Sequence, residues 1–384
     1  MTGSDIFIMI PVTGVLRNDI GNIHDSVMDK YLEILEQTEN YECDKKIASS
    51  IDRKCINKCE LAYMSDVYDT EEHQWVACHL VYTFQESTKL GILQIVIPKC
   101  PKDDTQIGDI VSSGNLMLKI KDQAVAVNEY IESIDLDICG KIRVIYCNSI
   151  KNKQERQLEY LLAGETANSE HADYKISNNA VLDKAKNNLA KYDFYELYAS
   201  QKSVVYLLNE FKENFVENIG SEALLIFICE IAILQNSAIS RINMQIIDEL
   251  MLNSNISSRK TLKLQVEFGK TILLWDNSVY KYFMAQELSN DIVSAFETNE
   301  LMEEYRKNSS HIEQIAALKN GIASDIQGKI LNFLAFVLSL SELIQLLSGV
   351  VAYIKGKEVV VGISGGGILL LILLLALIKN RKNK

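Results

Sequence analysis

Two long apolar runs at the C-terminal end constrain this chain more than any other feature. Ile330–Ile354 is apolar apart from scattered small and polar residues and one acid, Glu342, and Val359–Ile378 carries no charge. Lys355, Gly356, Lys357 and Glu358 separate the runs, and a basic stretch, Lys379–Lys384, follows the second. A bilayer core takes roughly 20 helical residues, which each run supplies. A two-helix transmembrane hairpin over residues 330–378 is therefore expected, with residues 379–384 as a cytosolic tail. That tail holds four Lys and Arg side chains against two lysines in the turn. The bias of cations toward the cytoplasm then favours a hairpin over a single C-terminal anchor. Met1–Val15 has no basic leader before its apolar stretch, so the N terminus is expected to stay inside. The expected location is a bacterial inner (plasma) membrane, multi-pass, with both termini cytoplasmic.

Residues before 330 read as a soluble head. Asp5–Val12, Trp75–Phe84, Gly91–Pro98, Asn115–Ile120 and Lys141–Cys147 are β-like runs bounded by Gly, Pro, Asp or Asn, and Ile23–Glu36 is helical. They predict an α/β cytosolic domain over 1–163, then a polar linker or exposed loop over 164–179. Val181–Tyr198, Val204–Asn218, Glu222–Leu252 and Lys260–Thr298 space apolar residues at three and four, which predicts helices through a domain and stalk over 180–329. Ala223–Leu234 contains Glu230 and spans only a dozen residues, so it predicts a buried helix of the head rather than a span. No proline breaks Leu301–Ile354, and one continuous helix there would exceed about 70 Å. The fold class is thus an α+β head, a long-helical middle and a transmembrane hairpin.

Glu342 lies mid-span, where an acid is costly unless it faces protein or water. Gly328, Asn332, Ala335, Ser339, Glu342, Gln345 and Gly349 share a broad helical face, with Leu331, Leu334, Val337, Leu338 and Leu347 assigned to the opposite one. One hairpin cannot hide such a stripe, whereas several copies around an axis can. Asn332, Ser339, Glu342 and Gln345 are the candidate pore-lining residues, and packing against the second helix is the alternative. In the second run, Gly362 and Gly366 have the spacing that lets helices approach closely.

The net charge of −12 gives no support to direct nucleic-acid binding. Eight cysteines form no paired framework. Cys55, Cys59, His73 and His79 match no strong zinc spacing, and adjacent helical turns would produce the Cys55/Cys59 interval by chance. No H-E-x-x-H or P-loop occurs, so the chain is not expected to be an enzyme and no tightly bound cofactor is expected.

This succession of an α/β domain, helical middle, long helix into the membrane, short turn, second span and basic end resembles CorA-like ion transporters. That family closes its first span with Tyr/Phe-Gly-Met-Asn, where this chain has Tyr353-Ile-Lys-Gly356. The missing Gly-Met-Asn is similar to a divergent branch associated with type III CRISPR systems. That resemblance implies a homo-oligomer, commonly a pentamer, acting as an antiviral membrane channel. It implies gating by a nucleotide second messenger, an S-adenosylmethionine–AMP conjugate, bound to the cytosolic head. The alternatives are a magnesium or other divalent-cation transporter, and a membrane-anchored scaffold or enzyme. An anionic nucleotide needs cationic partners, and Arg143, Arg156 and Arg241 are the candidate ligand-binding residues. Trp75 and Tyr82 sit in an apolar strand pattern and are read as core.

Overall fold

The computed structural model describes residues 3–43, 51–64, 74–86, 88–100, 106–114, 116–152, 157, 160–161, 178–252, 263, 265–266 and 279–355. The chain divides into two compact units, residues 1–312 and residues 313–384.

The first unit is built on a mixed sheet. Its strands are β1 (Ser4–Gly14), β2 (Ile51–Met64), β3 (Gln74–Gln85), β4 (Leu90–Cys100), β5 (Met117–Ile120), β6 (Gln123–Ala126), β7 (Leu136–Ile138), β8 (Arg143–Ser149), β9 (Tyr195–Ala199) and β10 (Ser203–Leu208). They lie in the order β6-β5-β2-β3-β4-β1-β8-β10-β9, with β7 paired to the end of β1. Neighbours are antiparallel except β8 and β10, which run parallel. The described helices are α1 (Ser26–Glu42), α2 (Gln106–Ser113), α3 (Val127–Ser133), α4 (Asn178–Lys186), α5 (Phe215–Leu252), α6 (Phe283–Ala295) and α7 (Thr298–Lys355). Sheet and helices together make the α+β head expected from the sequence.

β1 shows why the sheet is covered on both sides. Its apolar residues do not alternate with polar ones, as expected of a strand buried on both faces. Phe7 and Met9 pack into one core with Met28, Tyr31 and Leu35 of α1 and with Phe227 of α5. Ile6, Ile8, Ile10 and Val12 enter a second core with Ile107 of α2 and Ile131 of α3. α1 begins at Asp25, whose carboxylate accepts from the Val27 and Met28 amides and so satisfies two donors at the helix start. Between β5 and β6, Lys121 and Asp122 both have positive φ, 49° and 64°. That two-residue turn has the twist that matches a hairpin. At the other edge, Leu189 N donates to Leu197 O at 2.8 Å, and Asn188 Oδ1 accepts from Leu197 N at 3.0 Å. The segment before β9 therefore covers part of an edge otherwise open to pairing.

The five β-like runs of the sequence all appear as strands, and α1 extends the helix expected over Ile23–Glu36. Three expectations need correction. Ile51–Met64 is a strand, so Cys55 and Cys59 are not on helical turns. Val181–Tyr198 is helical only through Lys186, and its end is β9. Val204–Asn218 contains β10 and becomes helical only at Phe215. The two cores bury both faces of β10, with Val204, Tyr206 and Leu208 in one and Val205 and Leu207 in the other, so its burial is complete along its length. A short apolar run of that kind has no period to distinguish strand from helix. The sheet thereby continues past the boundary expected at residues 163–180. Most of the expected linker, the turn after Lys355, the second apolar run and the basic tail lie outside the described residues.

α5 has 38 residues, and a 34-residue stretch of it is long and apolar enough to cross a membrane. Shortness is therefore not what keeps it in the head. Of its most apolar window, 89% is buried inside the first unit, as suits a helix that is apolar all round.

Candidate functional site

Two helices among the described residues pass the length and hydropathy requirements for a membrane span, and they differ in burial. In Ile326–Gln345, within the second unit, none of the apolar window is buried. Phe333, Phe336, Leu340 and Ile344 are all exposed. At 100° per residue these four share one side. An apolar helical face without protein cover calls for lipid or another protein surface.

Asn332, Ser339, Glu342 and Gln345 are also exposed. They occupy an arc of roughly 140° on the side away from Phe333 and Ile344. The assignment of Leu331 and Leu338 to the opposite face is corrected by the same geometry, since both fall within the polar arc. The stripe is thus polar residues interrupted by leucine. Ser339 donates its hydroxyl to Ala335 O at 2.9 Å, which ties its proton to the helix while leaving its oxygen able to accept. A stripe of neutral hydrogen-bonding groups around one carboxylate can replace part of a cation's hydration shell.

The head contains a second concentration of charge that the sequence reading passed over. Arg53 of β2 lies in the core with its side chain 6% exposed, between Glu39 of α1 and Glu230 of α5. Its Nη2 and Nε donate to Glu230 Oε2 at 2.7 and 3.1 Å, and its Nη1 donates to Glu39. Thr83 Oγ1 donates to Glu230 Oε1 at 2.9 Å, and the Gln94 amide donates to the same oxygen. Tyr31 in turn donates to Gln94 Oε1 at 2.8 Å. One ionic cluster, Arg53 between two carboxylates, therefore joins three sheet strands to the two helices covering them. Burial alone would lower the Arg53 guanidinium, but Glu230 and Glu39 more than reverse that and hold it protonated. Two local patterns carried the signal. Glu230 interrupts a dozen apolar residues, and Glu39 continues the buried spacing Met28, Tyr31, Leu35.

Burial pushes the Glu39 carboxyl up to about 7, against the pull of Arg53. Its folded value stands above the ordinary 4.5, so between those pH values the folded head holds a proton that the unfolded chain releases. Stability from this group is full at the acidic end and is lost as pH rises toward 7. A tenfold change in proton affinity corresponds to about 1.4 kcal/mol, so a shift of this size tilts stability by on the order of 3 kcal/mol. Asp5 and Glu222, both raised mainly by burial, tilt it in the same direction. Asp25 acts oppositely at low pH, because hydrogen bonding to Lys58 holds it below the usual carboxylate range. The Glu39 contribution should therefore fall from pH 5 to pH 7.5, against the opposing trend of buried His79, whose imidazole is held below its ordinary value by burial. Glu39→Gln should remove the Glu39 part of the pH dependence of the melting temperature. Identical slopes for wild type and variant in a pH series of thermal melts would show that Glu39 does not titrate there.

Of the candidate ligand arginines, Arg143 and Arg241 are described, and their contacts differ. Arg143 is completely buried on β8. Its Nε and Nη1 donate to the carbonyls of Gln201 and Lys141 at 3.2 and 3.1 Å. Its guanidinium sits 4.2 Å from the Phe296 ring centroid. As a contact for a ligand arriving from solvent Arg143 is therefore corrected: protein covers it. Arg241, on α5 and partly exposed, reaches Thr13 Oγ1 at 3.4 Å. Arg156, Gly362 and Gly366 lie outside the described residues. Tyr82 is core, as expected, whereas Trp75 is half-buried. Cys59 Sγ faces Cys78 Sγ at 3.5 Å across β2 and β3, and His79 lies 3.4 Å from Asp25. No group of three or more metal-ligating side chains occurs among the described residues.

Comparison with known proteins adds no relative: no family model, curated protein or solved structure matches this chain.

Proposed function

We propose that this chain is the subunit of a homo-oligomeric membrane ion channel. Its cytosolic head would bind a small anionic nucleotide messenger, in the manner of CorA-like defence effectors. The observation that carries the reading is the helix Ile326–Gln345, apolar yet uncovered, with a polar stripe centred near one carboxylate. An isolated hairpin in lipid would leave that stripe against hydrocarbon, at a cost of about 2.5–3.5 kcal/mol for the acid alone. Copies arranged about an axis turn the stripe inward, where it can meet water, and leave Phe333, Phe336, Leu340 and Ile344 to lipid. The resemblance implies an adenine nucleotide as the messenger, the S-adenosylmethionine–AMP conjugate being the first to test. Its pocket is sought on the head surface, since Arg143 is covered.

The test is ion flux from liposomes containing the purified full-length protein. Flux should appear on adding S-adenosylmethionine–AMP and remain absent with AMP or S-adenosylmethionine alone. Flux that ignores nucleotides but is blocked by magnesium would replace this reading with divalent-cation transport. An intact oligomer that conducts under neither condition would overturn it.

A further inference from the structure

Four unusual arrangements converge on the two residues joining α6 to α7. Glu297 has φ of 58°, in the left-handed region that favours glycine at the end of a helix. Its carboxylate accepts from the Gln201 side-chain amide. The preceding residue, Phe296, is buried with the Arg143 guanidinium against its ring. Asn236 of α5 donates from one amide nitrogen to Phe296 O and to Thr298 Oγ1, both at 3.0 Å. One turn further on, Asn243 of α5 donates to Leu301 O at 3.0 Å.

Simple packing does not require this chemistry. A fully buried guanidinium without a directly bonded carboxylate is an expensive way to fill space, and Nη2 of Arg143 makes no hydrogen bond among the described residues. Burial draws Arg143 down to about 10, so it stays cationic at neutral pH. Its charge is supported by two carbonyls, one aromatic face and the nearby Glu297. The sheet supplies Arg143, the β9–β10 turn supplies Gln201, and α5 supplies Asn236 and Asn243. The sheet side thus reaches the joint through the Phe296 ring and the Glu297 carboxylate, and α5 reaches it through Phe296 O, the Thr298 hydroxyl and the Leu301 carbonyl.

We infer that this corner is the joint through which the head sets the state of α7, with Arg143 as its latch. The inference rests on the channel reading for its consequence, conduction, but not for its structure. Breaking the latch frees the first turns of α7 without unfolding the sheet, and conduction then no longer follows the state of the head.

Two readouts separate the ideas. Hydrogen exchange on the full-length protein in detergent reads the joint alone. Arg143→Met should accelerate exchange over residues 298–305 by roughly tenfold and leave residues 226–234 of α5 unchanged. Acceleration of both stretches alike, or of neither, overturns the joint. Liposome flux reads the coupling: Arg143→Met should change messenger-free flux by roughly fivefold, and Arg143→Lys, which keeps a cation over Phe296, should move it back. Unchanged flux beside loosened exchange overturns the coupling. Thr298→Val, which removes one hydroxyl at constant volume, carries both readouts if Arg143→Met does not fold. A wild-type protein that never conducts defeats the channel reading, and the exchange result then decides the joint.

Discussion

Glu230→Ala should destabilise the head by roughly 3–5 kcal/mol, the range for breaking a buried ion pair from one side. The cost comes mainly from what remains. Arg53 would keep its charge with its side chain 94% covered and only Glu39 beside it. Thr83 and Gln94 would each lose a charged acceptor. Burial already pushes Glu39 toward the neutral form, so it is a poor sole counter-ion at neutral pH. Replacing the charged group as a set should behave differently. Arg53→Met with Glu230→Leu and Glu39→Leu removes every charge together, and such replacements are often neutral or stabilising by about 1–4 kcal/mol. Urea unfolding followed by tryptophan fluorescence distinguishes these cases. A loss below about 1 kcal/mol for Glu230→Ala would place Arg53 in contact with water and remove the ionic node from the core.

How much of this was legible follows from what kind of signal each element leaves. The five β-like runs sit between turn residues, and each appears as a strand. β10 reads Ser-Val-Val-Tyr-Leu-Leu and has no alternation, because the two cores bury it on both faces. Its strand character depends on a neighbour more than fifty residues earlier, which local spacing cannot carry. Glu230 was visible as an acid in an apolar run, yet Arg53 sits among Ile, Asp, Lys and Cys, where one more cation draws no notice. The pairing of Arg53 with an acid 177 positions away exists only in the fold. Arg143 shows the reverse problem. A cation in a strand-like run resembles a ligand contact, until Phe296 and the Gln201 carbonyl are found closing over it. The polar stripe on Ile326–Gln345 was legible because helical geometry alone places its members. That same geometry moves Leu331 and Leu338 onto its side.

Glu342→Leu gives the strongest functional expectation. A water-lining carboxylate concentrates cations at the narrow part of a conduction path and lowers their barrier to entry. Raising that barrier by about 1.4 kcal/mol slows passage roughly tenfold, so on the channel reading cation flux should fall at least roughly tenfold with the oligomer retained. The packing alternative predicts the opposite sign for the protein as a membrane component. An acid buried between helices costs about 2.5–3.5 kcal/mol at the bilayer centre, and replacing it with leucine should strengthen insertion without affecting flux. Glu342→Gln separates charge from hydrogen bonding: it should reduce cation flux almost as far as leucine if charge matters. It should leave flux near wild type if only hydrogen bonding matters. Phe336→Ala supplies the control from the apolar side of the helix, about 120° from Glu342, where a smaller side chain should change lipid contact and leave the conduction path intact. Equal losses for Glu342→Leu and Phe336→Ala would mean that the stripe has no directional role, because a pore lining must distinguish its two faces. A flux loss confined to the polar side would place Glu342 in water rather than in a helix seam.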